Sequence, residues 1–250
     1  MDELHALLEG ADAADAVLKK YFRQPFAIRT KADGSFVTPA DQESEKAVLG
    51  VLQKHFPEYG FLAEESGQVG DQNHRWVIDP LDGTHSFIRG LPFFGPLLAY
   101  EENGVVQAGV VSLPMLGERV FASKGNGCFW NGKKCRVSDV ATLENAYLNC
   151  ELTRSAREGY GESLAQLAQT VHQERGYADV YGYFAVATGQ ADVFIEGYPH
   201  AWDVAAPTIC IEEAGGHVSK LPGRKNGLSV ASNGALHPSV CDVLEKYRQK

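Results

Sequence analysis

Five acidic side chains of this sequence lie where short apolar runs give way to turns. They are Glu64, Glu65, Asp79, Asp82 and Asp203. Carboxylates at strand ends can meet along one edge of a sheet, and carboxylate oxygens are the ligands that Mg²⁺ and other hard cations prefer. Two such cations about 3.5–4 Å apart can bind both the attacking and the leaving oxygen of a phosphoryl group. The pattern therefore predicts a metal site suited to the hydrolysis of a phosphate ester.

Residues 79–84, Asp-Pro-Leu-Asp-Gly-Thr, form the most informative of these segments. The proline fixes its own φ and has no N–H, so the chain must turn and Asp79 and Asp82 can converge on one point. Gly83 permits a ligand to approach the backbone closely. Its amide and that of Thr84 could begin a helix and bind a phosphate group there. Because Asp-Gly pairs are common in turns, the two aspartates could instead simply cap a turn.

Asp203 and the Glu64-Glu65 pair each have a plainer interpretation when they are considered alone. Asp203 directly precedes Val204-Ala205-Ala206, a position where an aspartate is a favourable helix N-cap. Paired glutamates usually belong to a solvated surface. The combination of the five acids, rather than any one of them, favours a cation site.

The charge balance of the chain also favours a bound cation. The 250 residues carry a net charge of −9, which argues against a nucleic-acid-binding surface because phosphate backbones select for basic faces. An acidic protein that handles phosphate can use a cation to invert the local charge. The predicted partner is therefore a small-molecule phosphate ester and not a nucleic acid.

Cysteine usage and hydropathy predict a location. The five cysteines are scattered, odd in number and without a C-x-x-C pair, which favours free thiols in a reducing cytosol. The N-terminal segment has neither the basic start nor the apolar run of a signal peptide. No window approaches the roughly 18 consecutive apolar residues of a membrane span. We therefore predict a cytoplasmic protein that makes no membrane contact.

Apolar periodicity predicts the secondary structure. In the first half it predicts helices over 4–22 and 41–56, strands over 61–63, 76–78, 96–100, 105–113 and 119–122, and a hairpin turn at Asn131-Gly132. In the second half it predicts strands over 146–150, 192–196 and 228–231, and helices over 162–172, 181–188, 204–214 and 238–247. Helices that alternate with strands along the chain indicate an α/β layered sandwich. We divide it into an α+β part over 1–140 and an α/β part over 141–250, which together form one catalytic unit.

Taken together, these segments resemble the inositol monophosphatase family, the magnesium-dependent, lithium-sensitive phosphatases. The segments that carry the resemblance are Val37-Thr38-Pro39-Ala40-Asp41-Gln42, Glu64-Glu65-Ser66-Gly67, Trp76-Val77-Ile78-Asp79-Pro80-Leu81-Asp82-Gly83-Thr84, Trp202-Asp203-Val204-Ala205-Ala206 and Glu213-Ala214-Gly215-Gly216. They follow the family's order over residues 10 to 245. The resemblance implies a layered αβαβα sandwich, a phosphoric monoester hydrolase that uses two or three Mg²⁺ ions, and a homodimer.

The resemblance also implies roles for individual residues. It assigns the first metal to Glu64, Asp79 and the carbonyl of Leu81, the second metal to Asp79, Asp82 and Asp203, and the phosphate to the amides of Gly83 and Thr84. Thr84 and Asp41 would orient and activate the attacking water, with a weaker third metal as a further participant. Glu65 and Lys31 would support the metal ligands from behind, although the segment between Lys31 and Asp41 is one residue shorter than the family pattern. No protein nucleophile is expected.

Three segments resemble the histidinol-phosphate phosphatase branch of the family. They are Gly90-Leu91-Pro92-Phe93-Phe94-Gly95, Asp179-Val180-Tyr181-Gly182-Tyr183 and Trp202-Asp203-Val204-Ala205-Ala206. Asp179 or Glu196 could pair with the amine of histidinol, and Tyr183 joins them as a candidate substrate residue. Two details point elsewhere: Glu196 also matches a position that binds inositol hydroxyls, and His85-Ser86 replaces the Arg-Ala of the histidinol branch.

Histidinol phosphate is therefore the predicted substrate. Inositol-1-phosphate or another small sugar or polyol phosphate is the alternative. A relative without catalytic activity that only binds metal or phosphate is a third possibility, although every expected metal carboxylate and Thr84 are present.

Overall fold

The computed structural model describes residues 2–32 and 34–249 of the chain. Its helices are α1 (Glu3–Tyr21), α2 (Pro39–His55), α3 (Thr84–Ile88), α4 (Leu152–Ser155), α5 (Gly161–Thr170), α6 (Asp179–Ala187), α7 (Ala201–Glu213) and α8 (His237–Lys246). A 3₁₀ turn covers Leu143–Asn145, and a π-helical turn, Ala156–Tyr160, links α4 to α5.

The strands lie between these helices in both halves of the chain. They are β1 (Arg29–Thr30), β2 (Phe36–Val37), β3 (Gly60–Ala63), β4 (Gly67–Val69), β5 (His74–Asp82), β6 (Gly95–Glu102), β7 (Val105–Leu113), β8 (Glu118–Ser123), β9 (Gly127–Trp130), β10 (Lys133–Cys135), β11 (Tyr147–Cys150), β12 (Gln173–Arg175), β13 (Val193–Gly197), β14 (Gly216–Leu221) and β15 (Leu228–Asn233). The short β1 and β2 pair with each other apart from the main sheets.

Two mixed sheets and three helical layers build the fold. Within the described residues, the first sheet has the order β10-β9-β8-β7-β6-β5-β3-β4, and the second has the order β12-β11-β13-β15-β14. In the first sheet β3 and β5 are parallel, and in the second β11 is parallel to both neighbours. Helices α1 and α2 cover the outer face of the first sheet, α6 and α7 lie between the sheets, and α5 and α8 cover the second. This is the expected αβαβα sandwich.

The outer layer forms because α1 and α2 carry apolar residues every three or four positions. Leu7 and Ala11 of α1, with Val48 and Leu52 of α2, are fully buried in one cluster with Trp76 of β5. This packing fixes β5 from one side. It thereby fixes the strand whose end carries the Asp-Pro-Leu-Asp segment.

The central layer depends on a close approach between α7 and β7. A Cβ added to Gly109 of β7 would lie 2.6 Å from a methyl carbon of Ile209 and 2.9 Å from the carbonyl oxygen of Ala206. Only glycine therefore lets α7 sit this close to the first sheet. The contact sets the height of α7, and with it the position of Asp203 in its first turn.

The structure confirms the predicted helices and strands and refines their ends. Asn131 and Gly132 both have positive φ, as the predicted two-residue hairpin turn requires. The strands β1, β2, β4, β12 and β14 were not predicted, because their short sequences have no clear apolar alternation. The first two pair with each other, and the other three pair at sheet edges.

The N-cap interpretation of Asp203 is wrong. The helix begins two residues earlier, at Ala201, and His200 is the N-cap. Asp203 lies at the third helical position, where its Oδ2 accepts from the His200 N–H at 2.6 Å. Asp41 occupies the same position in α2, after the N-cap Thr38. In both helices a carboxylate reaches back to the helix start in a capping box, which sequence periodicity alone does not reveal.

Two further expectations can be compared with the structure. The five cysteines are free thiols, as predicted. Among the described residues, no helix combines the length and the apolar character needed to cross a bilayer. The division at residue 140 and the homodimer stay predictions.

Candidate active site

A cavity of about 280 Å³ opens beside the ends of β3, β5 and β13 and the starts of α3, α6 and α7. Ten of the predicted site residues line it: Lys31, Glu64, Asp79, Leu81, Asp82, Gly83, Thr84, Asp179, Glu196 and Asp203. Six lining residues were not predicted: Ser35, Phe36, His85, Arg154, His200 and Trp202. The chain thus brings acids from distant segments to one place.

A bulge at the end of β5 turns Asp79 and Asp82 toward this cavity. Asp79 pairs with Leu97 of β6 and Asp82 with Gly95, so β5 has one residue more than β6 over this stretch. The extra residue lets side chains three positions apart share a face, which regular alternation would forbid. The proline between them needs no ladder partner in a bulge.

The two aspartates differ in their protein contacts. Asp79 is buried, and its Oδ1 accepts from the Leu81 N–H at 2.9 Å. Asp82 Oδ2 is also buried, but it has no hydrogen-bond partner among the described residues. The turn-capping interpretation therefore accounts for Asp79 and leaves Asp82 unexplained.

Burial and mutual repulsion together raise the pKa values of the aspartates that line the cavity. Burial raises the pKa of Asp79 well above its usual value, and the charges of Glu64, Asp82 and Asp203 raise it further. Burial also raises the pKa of Asp82, with Asp179 as the largest charge acting on it. Burial raises the pKa of Asp203 as well, and Glu64 adds to that shift. A nearby cation would relieve this repulsion.

Glu64 enters the cavity beside a lysine. Lys31 Nζ donates to Glu64 Oε1 at 2.8 Å and to Glu65 Oε1 at 2.6 Å. Burial lowers the pKa of Lys31, but these two hydrogen bonds outweigh that effect and hold the pKa above its ordinary value. The Glu65 amide in turn donates to Glu45, which also accepts from the hydroxyl of Ser66. Glu65 therefore supports the segment from behind, while Glu64 faces the cavity.

Thr84 connects the cavity to Asp41. Its hydroxyl lies 3.0 Å from the Leu81 carbonyl oxygen and 3.2 Å from Asp41 Oδ1. Asp41 is buried and does not line the cavity; its other oxygen accepts from the Thr38 amide and hydroxyl. Burial raises the pKa of Asp41 to about 6 even though Thr38 opposes the shift. Asp41 thus reaches the cavity only through the Thr84 hydroxyl.

Gly83 is required for a reason that the sequence did not disclose. Its φ is +82°, which disfavours every other residue type. A Cβ at this position would also lie 2.6 Å from the carbonyl oxygen of Phe93. The glycine therefore lets Phe93 pack against this turn. Gly83 is also the N-cap of α3, which confirms the predicted start of a helix at Gly83 and Thr84.

Comparisons with known proteins decide the family. The sequence profile of the inositol monophosphatase family matches residues 2–249. This chain belongs to the inositol monophosphatase family. It is 38% identical over 254 residues to the histidinol-phosphatase of Mycobacterium tuberculosis, covering 97% of this chain and 98% of that protein. It is 32% identical over 255 residues to the inositol-1-monophosphatase of Mesorhizobium japonicum, covering 97% and 96%.

The solved structures agree with the sequence relatives. The extragenic suppressor protein SuhB of Bartonella henselae superposes with a TM-score of 0.90 at 30% identity, over 97% of this chain and 98% of that one. The family consists of phosphatases that are in general magnesium-dependent. The chain is accordingly a phosphoric monoester hydrolase, which sets aside the non-catalytic alternative.

The residues present fit the family's cation chemically. The donors are carboxylate oxygens and a backbone carbonyl, as Mg²⁺ prefers, and the buried Asp82 Oδ2 has no hydrogen-bond partner among the described residues. No three His, Cys, Asp or Glu side chains of the described ranges are already grouped around one point. Lys31 contacts Glu64, and backbone amides hold Asp79 and Asp203, so these side chains have other partners.

Two of the three candidate substrate residues line the same cavity. Asp179 and Glu196 line the cavity, and Asp179 has a φ of +55°, a strained value for a residue with a Cβ. Burial raises the pKa of Glu196, and Asp203 adds to it. Tyr183 was predicted as a substrate residue, but it does not line the cavity. It is buried behind Glu196 and donates to Glu196 Oε2 at 2.8 Å. Its hydroxyl therefore reaches a ligand only through Glu196.

Sequence reasoning missed Arg154, which lies beside Asp179 and Glu196 in the cavity lining. Arg154 lies in α4, directly after β11, and its Nη2 is 3.3 Å from Asp179 Oδ1 and 4.0 Å from Glu196 Oε1. Burial lowers the pKa of Arg154, but Glu196, Asp179 and Glu151 outweigh that effect and raise it above its usual value. The available signal was an arginine just past a predicted strand, at the sheet edge where Glu196 ends the neighbouring strand.

Proposed function

We propose that this chain is a magnesium-dependent phosphatase of histidinol phosphate. The observation that carries the proposal is that six carboxylates from distant segments line one cavity. We name Glu64, Asp79, Asp82 and Asp203 the metal end of the cavity, and Asp179 and Glu196, with Arg154 beside them, the alcohol end. The first group suits hard cations and a phosphate group, and the second suits a cationic alcohol.

At the metal end, we assign the metal ligands as the family resemblance implies. Glu64, Asp79 and the Leu81 carbonyl would hold one Mg²⁺, and Asp79, Asp82 and Asp203 would hold another. When bound, these ions would neutralise charge on the phosphate oxygens and lower the pKa of the attacking water. The number of ions is part of the proposal. Support comes from the raised pKa values of Asp79, Asp82 and Asp203, which result first from burial and then from the charges of neighbouring carboxylates.

The chain's own residues handle the proton and the phosphate. The Thr84 hydroxyl accepts a hydrogen bond from the attacking water and passes the proton to Asp41 Oδ1, 3.2 Å away. Burial suits Asp41 to this role, because it raises the pKa of the carboxyl to about 6. The amides of Gly83 and Thr84, at the start of α3, bind phosphate oxygens. Lys31 and Glu65 keep Glu64 in position through their mutual hydrogen bonds.

At the alcohol end, Asp179 and Glu196 bind the ammonium group of histidinol. A carboxylate paired with an ammonium group makes a short, charge-assisted hydrogen bond, and burial strengthens it. The side chain of Glu196 is only 3% exposed, and Tyr183 fixes its Oε2, so its Oε1 is the oxygen left for a ligand. The 38% identical relative that is named a histidinol-phosphatase supports this choice.

A polyol phosphate such as inositol-1-phosphate is the second candidate. Arg154 adds hydrogen-bond donors to the acceptors Asp179 and Glu196, and hydroxyl groups need both kinds of partner. The relative named an inositol-1-monophosphatase is 32% identical. This combination of donor and acceptors is the observation that favours the alternative.

A side-by-side assay of the two esters separates the two candidate functions. Purified protein with Mg²⁺ is assayed for phosphate release from histidinol phosphate and from inositol-1-phosphate, and kcat/KM is determined for each. We expect histidinol phosphate to be preferred by roughly 10-fold or more, the effect of one additional charged hydrogen bond. Equal or reversed kcat/KM values would contradict the substrate assignment and leave the phosphatase assignment intact.

A further inference from the structure

Arg154 links the acids at the alcohol end of the cavity. Its Nη2 lies 3.3 Å from Asp179 Oδ1 and 4.0 Å from Glu196 Oε1, and its Nε lies 3.6 Å from Glu151 Oε2. The three carboxylate side chains are 16%, 3% and 15% exposed, so water screens them poorly. Three carboxyl groups therefore share one guanidinium group beside the cavity.

The local backbone holds Arg154 in this position in two ways. Glu151 caps the start of α4, and its Oε2 accepts from the Arg154 N–H at 2.9 Å. Gly197 at the end of β13 lets α4 approach, because a Cβ there would lie 2.4 Å from the Ser155 nitrogen and 2.5 Å from the Arg154 carbonyl carbon. The position of the guanidinium group is therefore built into the strand end that carries Glu196.

Asp179 provides an independent sign that this arrangement has a function. Its φ of +55° is strained for a residue with a Cβ, and such strain persists only where the surroundings impose it. The ion pair with Arg154 is the contact that fixes this side chain. The strain and the ion pair together hold Asp179 at the edge of the cavity.

We propose that Arg154 is a positioning residue that sets the alcohol specificity of the cavity, by holding Asp179 and Glu196 apart and oriented to receive an ammonium group. The inference rests on the proposed function, since it concerns the same cavity and a cationic alcohol. Planar and multidentate, the guanidinium group can contact two carboxylates at once. In its absence the two acids repel each other and lose their common orientation.

The test compares Arg154→Met, Arg154→Lys and wild type on two esters with Mg²⁺ present. The esters are histidinol phosphate, whose alcohol is cationic, and glycerol 2-phosphate, whose alcohol is neutral. We expect Arg154→Met to lower the ratio of kcat/KM for the first ester over the second by roughly 10-fold, mainly through a higher KM for histidinol phosphate. Arg154→Lys keeps the cation and should restore part of the ratio.

Arg119→Met is the matched control. Arg119 also bridges two carboxylates, Asp12 and Asp15, each at 2.8 Å, and lies outside the cavity lining. Its removal should leave the ratio between the two esters unchanged. It therefore reports the effect of losing a bridging arginine that has no part in substrate selection.

The outcomes separate the inference from the function on which it rests. An unchanged or increased ratio in Arg154→Met, with wild type still preferring histidinol phosphate, would overturn the inference alone. An equal loss of kcat on both esters would assign Arg154 a purely structural role and also overturn it. If wild type itself shows no preference for histidinol phosphate, the substrate assignment and the inference both fall.

Discussion

The two ends of the cavity are built in different ways. The metal end uses side chains at a strand end, a bulge and a helix start, each within a short segment of sequence: Glu64, then Asp79 with Asp82, then Asp203. At the alcohol end, Arg154, Asp179 and Glu196 come from three different elements, and Arg154 contacts both acids. Chemistry common to a family can be kept in local motifs, whereas specificity for one alcohol depends on tertiary contacts.

Magnesium removal should have the largest effect. Because the carboxylates at the metal end depend on a cation to bind phosphate, excess chelator should abolish phosphate release from every ester. Restoring Mg²⁺ should restore the activity. The measurement is the initial rate of phosphate release before chelation, after chelation and after Mg²⁺ is added back. Full activity in chelator would remove the basis for distinguishing a metal end at all.

Asp82→Asn should come next, with opposite effects on activity and on stability. Loss of a metal carboxylate should lower kcat roughly 100-fold or more for both histidinol phosphate and glycerol 2-phosphate. Asp82 Oδ2 has no partner among the described residues, and repelling charges surround it. The melting temperature without Mg²⁺ should therefore stay constant or rise. Both quantities are measured on the same preparation.

Asp192→Asn provides the contrast for that variant. Asp192 is a buried aspartate that accepts from the Tyr147 amide at 2.6 Å and from the Ser138 hydroxyl, so its carboxylate, unlike Asp82 Oδ2, has partners on both oxygens. Its replacement should lower the melting temperature and change kcat little. If Asp82→Asn behaves like Asp192→Asn, Asp82 belongs to the structure of the protein and not to the metal end.

Glu196→Gln should affect one ester selectively. Loss of the carboxylate that pairs with the ammonium group should raise KM for histidinol phosphate roughly 30-fold, with a much smaller effect on glycerol 2-phosphate. The control is Glu174→Gln on β12, outside the cavity lining. An equal rise in KM for both esters would mean that the alcohol end does not read the charge of the alcohol.

Tyr183→Phe should have the smallest effect of the series. The variant removes the hydroxyl that donates to Glu196 Oε2, so Glu196 remains but loses its orientation. KM for histidinol phosphate should rise roughly 3- to 10-fold. Tyr160→Phe is the control, because Tyr160 is equally buried and donates to the Pro222 carbonyl away from the cavity. A similar KM change in both variants would indicate general loosening of the fold.

The sequence predicted well which acids share the cavity lining, because the signals for them are local. Acids at the ends of apolar runs, a proline between two aspartates and a following glycine can each be recognised without knowing what packs nearby. All the residues predicted to hold metal or phosphate line the cavity. The same locality explains the success with the long helices α1 and α2, whose apolar spacing is regular over many residues.

The features that sequence missed depend on partners distant in the chain. Nothing around Arg154 shows that it contacts Asp179, and nothing around Tyr183 shows that it is buried behind Glu196. The true start of α7 escaped because the Asp203 side chain caps the helix from its third position, while periodicity reports only the buried face. Gly83 was recognised as special, but its contact with Phe93 exists only in the folded chain.

The central claim is that acids from three distant segments share closely spaced cations. A crystal structure with Mn²⁺ and phosphate, using the anomalous signal of the metal, tests it most directly. We expect two Mn²⁺ peaks about 3.5–4 Å apart in the cavity, with Asp79 between them and Asp203 bound to one. Mn²⁺ peaks elsewhere, or an Asp203 that contacts no ion while phosphate is bound, would contradict the account.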